Sequence, residues 1–458
     1  MKNTLRILMC LSLLIVPFAA VNAQQADPLM QSDSDRDSIP DKIDNCLLLD
    51  NPMQQDSDAD GFGTACDPDL NNDMIVDAHD IELFEKLPQT DDLRPHLDFN
   101  LDGKRDHIDG DILRAWQGKS PGPAAKRTSS GLIPEQLGLV INDNDPVSIE
   151  IGEYYRIKRN IPDANIVHVQ LPVRAGISRA TFAPAKQKID QALPPYVQAI
   201  AIAWTNPHAV ECNSITSAIS RGFLASGCDN KNVARYCGFS DFNPYFNSYS
   251  RLPYSQFGIR PSMLLASSTF EETKALIDRG LSAQATHPKG KAYIMNTSDN
   301  IRNERAEVFD HAFLGRAINQ NIDIHLINAD SISDTNDTYF YFQGMMSIPN
   351  LKNIYPPGAI IDNLTSSGGM LEHNTGHTKA TELIAAGATG AFGAVSEPCV
   401  HKEKFANPAV LIAHYTSGQT LVEAYWKSLE QTFQALLVGD PLANPWAKEK
   451  TSGYLGSP

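Results

Sequence analysis

From residue 132 onward the chain alternates two kinds of apolar pattern. Short runs rich in β-branched residues, Leu137 to Asn142, Ile166 to Leu171, Val197 to Trp204, Lys291 to Asn296 and Ile322 to Ile327, have the length and composition of buried strands. Between them, Val147 to Arg159, Lys186 to Leu193, Glu271 to Ala285 and Arg302 to Asn319 repeat their apolar positions every three to four residues, which predicts helices. Strands alternating with helices call for crossover connections, so the expected fold class over 132–450 is α/β, a mainly parallel sheet with helices on both faces. The glycine run from Gly387 to Gly393 lacks the Lys-Ser/Thr of a phosphate-binding loop and reads as a buried strand with other backbone packed closely against it.

Ahead of residue 132 the pattern changes. Asp33 to Asp67 carries few apolar residues, whereas Ile81 to Leu87 and Ile108 to Trp116 have helical spacing. The first half is expected to be coil organised by a metal, the second loop plus helix. A stretch rich in Gly, Pro and Ser, residues 119–131, has the composition of an interdomain linker.

Charge sharpens this division. Residues 24–120 hold 24 acidic side chains, 22 of them Asp, against 8 basic ones, a net of −16 that equals the whole-chain value. The remainder of the chain is balanced. Such a segment repels itself unless a counter-ion neutralises it, so a bound divalent cation is close to a condition for its order, and nucleic acid is excluded as a partner.

The chain opens with Lys2 and Arg6 ahead of an apolar run that ends in Val21-Asn22-Ala23, the pattern of a secretory signal cleaved after Ala23. Export to the periplasm, cell surface or medium is expected. No later apolar stretch has the length and composition of a membrane span. With Cys10 removed, six cysteines remain for an oxidising compartment, where disulfides are the default. Cys46 and Cys66 are expected to pair inside the acidic segment. The connectivity of Cys212, Cys228, Cys237 and Cys399 stays open.

The acidic residues recur at alternate positions, as hard-oxygen calcium sites require. Asp33, Asp35, Asp37, Asp41 and Asp44 precede Asn45-Cys46, and Asp56, Asp58 and Asp60 precede Gly61-Phe62-Gly63, Cys66 and Asp67. This run resembles the thrombospondin type 3 repeat, departing from it at Leu47, where proline is usual. The resemblance implies calcium ions strung along a nearly core-free chain over 24–67. Two loops follow within 68–118 and resemble the paired EF-hands of dockerin-like modules. The first would ligate through Asp69, Asn71, Asp73, the carbonyl of Ile75, Asp77 and Asp80, and the second through Asp98, Asn100, Asp102, the carbonyl of Lys104, Asp106 and Asp109. Asp at position twelve is a methylene shorter than Glu. Position six is Gly103 in the second loop but Met74 in the first, so weaker calcium binding is expected in the first. A dockerin would bind a cohesin partner; a calcium-stiffened stalk would meet a cell-surface or matrix protein.

In the C-terminal part, Val140 to Asp145, Tyr154-Tyr155, Arg159-Asn160-Ile161-Pro162, Ser366 to Leu371, Gly387 to Cys399 and Val438-Gly439-Asp440-Pro441-Leu442 resemble an uncharacterised family of exported bacterial proteins found mainly in genomes that carry exosortase. The same Tyr155, Arg159 and Gly439-Asp440-Pro441 resemble gingipain-type cysteine peptidases. That second resemblance implies a hydrolase using His377 and Cys399, although the family order is His-Gly and this chain has Gly376-His377. His373 and His401 are rival bases, and a structural disulfide is the competing fate of Cys399.

Overall fold

The inner strands form where apolar side chains occupy both faces of an extended segment and are buried above and below, whereas the edge strand Ile322–Asn328 is only partly covered. The computed structural model describes residues 32–57, 61–86, 97–125, 131–228, 238–248, 250–304, 322–399 and 401–447. Among them lie β1 (Leu137–Asn142), β2 (Ile166–Val169), β3 (Gly176–Ile177), β4 (Ala199–Ile202), β5 (Ala209–Val210), β6 (Asn213–Ser214), β7 (Ser262–Leu264), β8 (Gly290–Asn296), β9 (Ile322–Asn328), β10 (Thr338–Gln343), β11 (Ile360–Asn363), β12 (Gly390–Ala394) and β13 (Ala435–Gly439). Ten of these strands build one sheet in the order β2-β1-β4-β7-β13-β12-β11-β10-β8-β9, and β3, β5 and β6 build a small one.

The large sheet is mixed but mostly parallel. Every neighbouring pair in it is parallel except β12 and β13, which run antiparallel with Gly390 opposite Gly439. It therefore consists of two parallel blocks joined edge to edge. Alternation along the strands divides the core in two. Leu139, Ile141, Phe340, Phe342 and Phe392 face one layer, with the helices Pro146–Arg159, Pro408–Thr416 and Leu421–Lys427. Val140, Tyr341, Ala391 and Val438 face the other, with the helices Arg179–Ala192, Ile215–Arg221 and Ala380–Ala385. A sheet covered on both faces is the arrangement that the alternating apolar runs predict.

The predicted elements are found with shifted ends. The helix expected over Lys186 to Leu193 begins earlier, at Arg179, capped by Ser178, and carries Pro184 in its first turns. The helix expected over Arg302 to Asn319 falls mostly outside the described residues, as do the signal segment 1–23 and part of the 119–131 linker. The glycine run does form a buried strand. A Cβ on Gly393 would stand 2.4 Å from the backbone of Gly368 and of Gly369, so this crossing of two chains admits no side chain. No helix among the described residues is long and apolar enough to cross a membrane.

The described part of the expected linker, residues 119–125, does not run free. It is fastened to the acidic segment: Val76 N–H donates to Lys119 O at 2.9 Å, Gly122 N–H to Cys66 O at 2.9 Å, Leu47 N–H to Pro123 O at 2.9 Å, and Ala125 N–H to Asp44 O at 2.7 Å. A Cβ on Gly122 would meet the Phe62 ring at 2.6 Å. Residues 119–125 thus act as a strap across the segment, and their Gly/Pro content serves close packing as well as turning.

Two buried ionic groups stand out in the α/β part. Asp440, fully buried after β13, accepts the Tyr155 hydroxyl at 2.8 Å and pairs with Arg159. Lys427 is fully buried near Glu423 and lies 4.9 Å from the centre of the Tyr245 ring, with no hydrogen-bond partner for its ammonium. Burial pushes that ammonium down to about 7, with the Glu423 carboxylate opposing the shift.

Candidate metal centre

The N-terminal acidic segment curls because alternate residues take the left-handed conformation. Arg36 has φ 69° and Ser38 φ 76°, and the turns between them bring the carboxylates of Asp33, Asp35 and Asp37 together, with one ligand oxygen from each within 4.8 Å of the others. Backbone amides hold the cluster from outside. Asp33 accepts Arg36 N–H at 2.7 Å and Ser38 N–H at 3.0 Å, and Asp37 accepts Ile39 N–H at 2.7 Å and Asn51 N–H at 3.0 Å.

Asp44 lies near enough to feel the charges of Asp37 and Asp35, outside the trio whose ligand oxygens meet within 4.8 Å. It is fully buried, and its Oδ1 accepts Cys46 N–H at 2.8 Å and the Gln54 amide at 2.7 Å. Its Oδ2 and the Oδ2 of Asp35 are buried with no hydrogen-bond partner. Burial pushes the Asp44 carboxyl up to about 7, the charges of Asp37 and Asp35 adding to the effect, and burial raises Asp35 and Asp37 as well. Orphaned carboxylate oxygens among like charges are costly without a counter-charge. The donor set is oxygen only, which fits a hard divalent cation and not a soft one.

Asp41 does other work, and two of the expected ligands fall outside the described residues. Asp41 turns to Ser34, accepting its N–H at 2.8 Å and its hydroxyl at 2.9 Å. Asp58 and Asp60 lie outside the described residues. Asp56 is half-buried at the edge of that stretch, and Asp67 is buried with its Oδ1 accepting Asp69 N–H at 3.3 Å. Gln54, which the alternating-acid pattern does not select, proves central: its amide bridges Asp44 and Asn51 Oδ1. An amide among carboxylates is the available clue.

The two following loops fold alike at an offset of 29 residues. In the first, Asp69 accepts Asp73 N–H at 3.2 Å and Met74 N–H at 2.6 Å; in the second, Asp98 accepts Asp102 N–H at 3.1 Å and Gly103 N–H at 2.8 Å. Asp80 closes its loop by accepting Asn71 N–H at 3.2 Å and Asp77 N–H at 2.7 Å, and Asp109 closes its own by accepting Phe99 N–H and Asp106 N–H, both at 2.8 Å. Asn71 and Asn100 each accept the N–H two residues on, as do Asp73 and Asp102. Asp77 and Asp106 sit at the starts of the helices Ala78–Lys86 and His107–Trp116, whose side chains Phe84 and Leu113 pack with Val76, Leu97 and Phe99. All four anchoring carboxylates, Asp69, Asp80, Asp98 and Asp109, are buried, while the carbonyl positions Ile75 and Lys104 lie on the exposed side.

Met74 has φ 75° where Gly103 has φ 81°. A non-glycine residue in that region costs roughly 1–2 kcal/mol. Met74→Gly is therefore expected to stabilise the first loop by about 0.5–1 kcal/mol after the extra freedom of glycine in the unfolded chain is deducted. Denaturant titration of the full chain, read through the Trp116 fluorescence, measures it; destabilisation would contradict the reading.

The candidates of the α/β part are placed as follows. His377 follows β11, its Nδ1 bonded to the Thr365 hydroxyl. Burial lowers its pKa, Arg302 adding to the shift and Glu397 opposing it. Cys399 follows β12, with φ 59° and its N–H donated to Glu397 Oε1 at 2.8 Å. The two elements are neighbouring strands, as a His/Cys pair would need, but Cys399 is disulfide-bonded and carries no ionisable thiol. The rivals fare no better: His401 lies tilted against Phe239, ring centres 4.7 Å apart, and His373 lies exposed near the buried His208. Cys46 pairs with Cys66, and Cys212 with Cys228.

No family model matches this chain, and no curated protein matches it. A solved structure described as "Structure of Protease" is similar with a TM-score of 0.35 and 10% identity, over 68% of this chain and 78% of that one. A likeness of that degree says nothing about activity.

Proposed function

We propose that residues 24–118 form a calcium-binding module of an exported protein, a cation-stiffened segment that carries the α/β domain and faces a cell-surface or matrix partner. The observation that carries this reading is the convergence of Asp33, Asp35 and Asp37, with Asp35 Oδ2 in that trio and Asp44 Oδ2 near it both buried without a hydrogen bond. Asp35, Asp37 and Asp44 would hold one ion with Asp33. Asp69, Asn71, Asp73 and Asp80 would hold a second, and Asp98, Asn100, Asp102 and Asp109 a third. Calcium tolerates six to eight oxygen ligands in irregular geometry, which suits carboxylates already bound to backbone amides better than the strict octahedron of magnesium does. Bound cations would remove the like-charge repulsion that opposes folding of the segment.

Limited proteolysis of the full chain tests this. Calcium is expected to protect residues 32–125 and a chelator to expose them, whereas the α/β domain resists in both. Equal cleavage of the segment with calcium and with chelator would overturn the proposal.

A further inference from the structure

The connections of β1 part in opposite directions. From β1 the chain crosses to β2 on one side through the helix Pro146–Arg159, and from β2 it returns to β4 on the other side of β1 through the helix Arg179–Ala192. The two helices pack on opposite faces of the sheet. Such a divergence leaves a crevice outside the carboxyl ends of the strands, and open α/β sheets bind their ligands there. A cleft of about 460 Å³ occupies this place, within the size range of small-molecule sites. It is bounded by Asp145 after β1, Thr205 and Asn206 after β4, Ser268 after β7, and Glu372 and Lys379 from the segment after β11.

We propose that this cleft binds a neutral carbohydrate, a short glycan segment. Eleven of its fourteen lining residues are polar by type while about half of the exposed lining is apolar, a mixed surface that suits a ligand with both hydroxyls and C–H faces. Anions are disfavoured. Three carboxylates, Asp145, Glu372 and Glu382, stand against the single cation Lys379, and the two longer helices that start at the cleft spend their first amides internally, Val147 N–H on Asp145 and Glu272 N–H on Thr269. A metal or a compact ammonium needs carboxylates that converge. The cleft's carboxylates come from three separate segments, the Asp145 turn, Glu372 and the start of the helix at Glu382, and are not among the groups of three or more ligand side chains that converge within 4.8 Å in the described residues. Acceptors spread around the rim, with hydroxyls at Thr205, Ser268 and Thr381 that both donate and accept, fit a ligand whose own hydroxyls are equally spread. Phe270 and Leu371 supply apolar wall for the C–H face of a sugar ring. Asn206, bonded to Glu372, ties the β4 loop to the segment after β11 that lines the cleft.

The proposal does not rest on calcium binding by the acidic module. Saturation-transfer NMR on the full chain, with cellobiose, maltose and chitobiose as probes in the presence of a chelator, is expected to show binding of at least one of them. Ser268→Trp places bulk in the cleft from an exposed loop position and is expected to weaken that binding at least about tenfold, the loss being read against an unchanged melting temperature. Asn206→Ala provides a second, smaller change with the same expected direction. No signal from any of the three sugars, or binding that survives both substitutions, would overturn the proposal. So would preferential binding of spermidine lost in the same variants, which would make the cleft a cation site.

Discussion

Asp440→Asn is expected to destabilise the α/β domain by about 3–5 kcal/mol, the range found when one partner of a buried ion pair is removed. The carboxylate is fully buried, accepts Tyr155 at 2.8 Å and Leu442 N–H at 3.2 Å, and balances the buried Arg159 guanidinium. The space around it is equally specific. A Cβ on Gly280 would lie 1.9 Å from Asp440 Oδ2, so the helix Phe270–Ser282 approaches at this point only because it presents glycine. Asn keeps the shape but leaves Arg159 charged and unpaired. Urea denaturation of the full chain, followed by tryptophan fluorescence, measures the loss. A change under about 1 kcal/mol would place the pair among exposed salt bridges, which contribute little.

The second large effect concerns pH. The Lys427 ammonium, pushed down to about 7 by burial, lies far below the range it has in the unfolded chain. Between those two values the folded state binds fewer protons than the unfolded state, so stability rises with pH from about 7 upward, at up to about 1.4 kcal/mol per unit. Below about 7 this group adds no further pH dependence. Lys427→Met keeps the volume and removes the proton. It is expected to raise stability at pH 7 and to flatten the difference between pH 7 and pH 9, which denaturation at the two values would read. An unaltered slope in the variant would show that the ammonium is hydrated or paired.

Much of the α/β architecture is legible in the residues themselves. β1 begins at Leu137 and ends at Asn142 as its β-branched run predicts, and the helix from Pro146 to Arg159 follows the apolar spacing. Two-faced burial gives these segments continuous apolar character, which one-dimensional pattern reports well. What escaped it depends on contacts between distant residues. The antiparallel seam of β12 and β13 joins strands whose sequences look no different from parallel ones. Tyr155, Arg159 and Gly439-Asp440-Pro441 are noticeable as motif residues, and the 281-residue separation of Arg159 from Asp440 conceals a buried ion pair that serves packing. The same holds for the strap. Gly122-Pro123 has the composition of a free linker, and only its partners Cys66 and Leu47 reveal its place.

The candidate metal centre was legible in a different way, through regular spacing. Alternate aspartates announce themselves in sequence, but which of them converge is decided by backbone φ at Arg36 and Ser38 and by the burial of Asp44. Asp41, in the same run, is spent on Ser34. Gln54 stands in the same run, which resembles the thrombospondin type 3 repeat, and its bridging role comes from the fold.

The central claim is that this segment is organised by calcium, and direct counting tests it best. Equilibrium dialysis of the full chain against labelled calcium at physiological ionic strength should find about three ions bound, one at the Asp33, Asp35, Asp37 and Asp44 group and one in each loop. Asp44→Ala, which removes both oxygens, should lower that count by about one while leaving both loops filled. A chain that binds no calcium, or one whose count is indifferent to Asp44, would contradict the account.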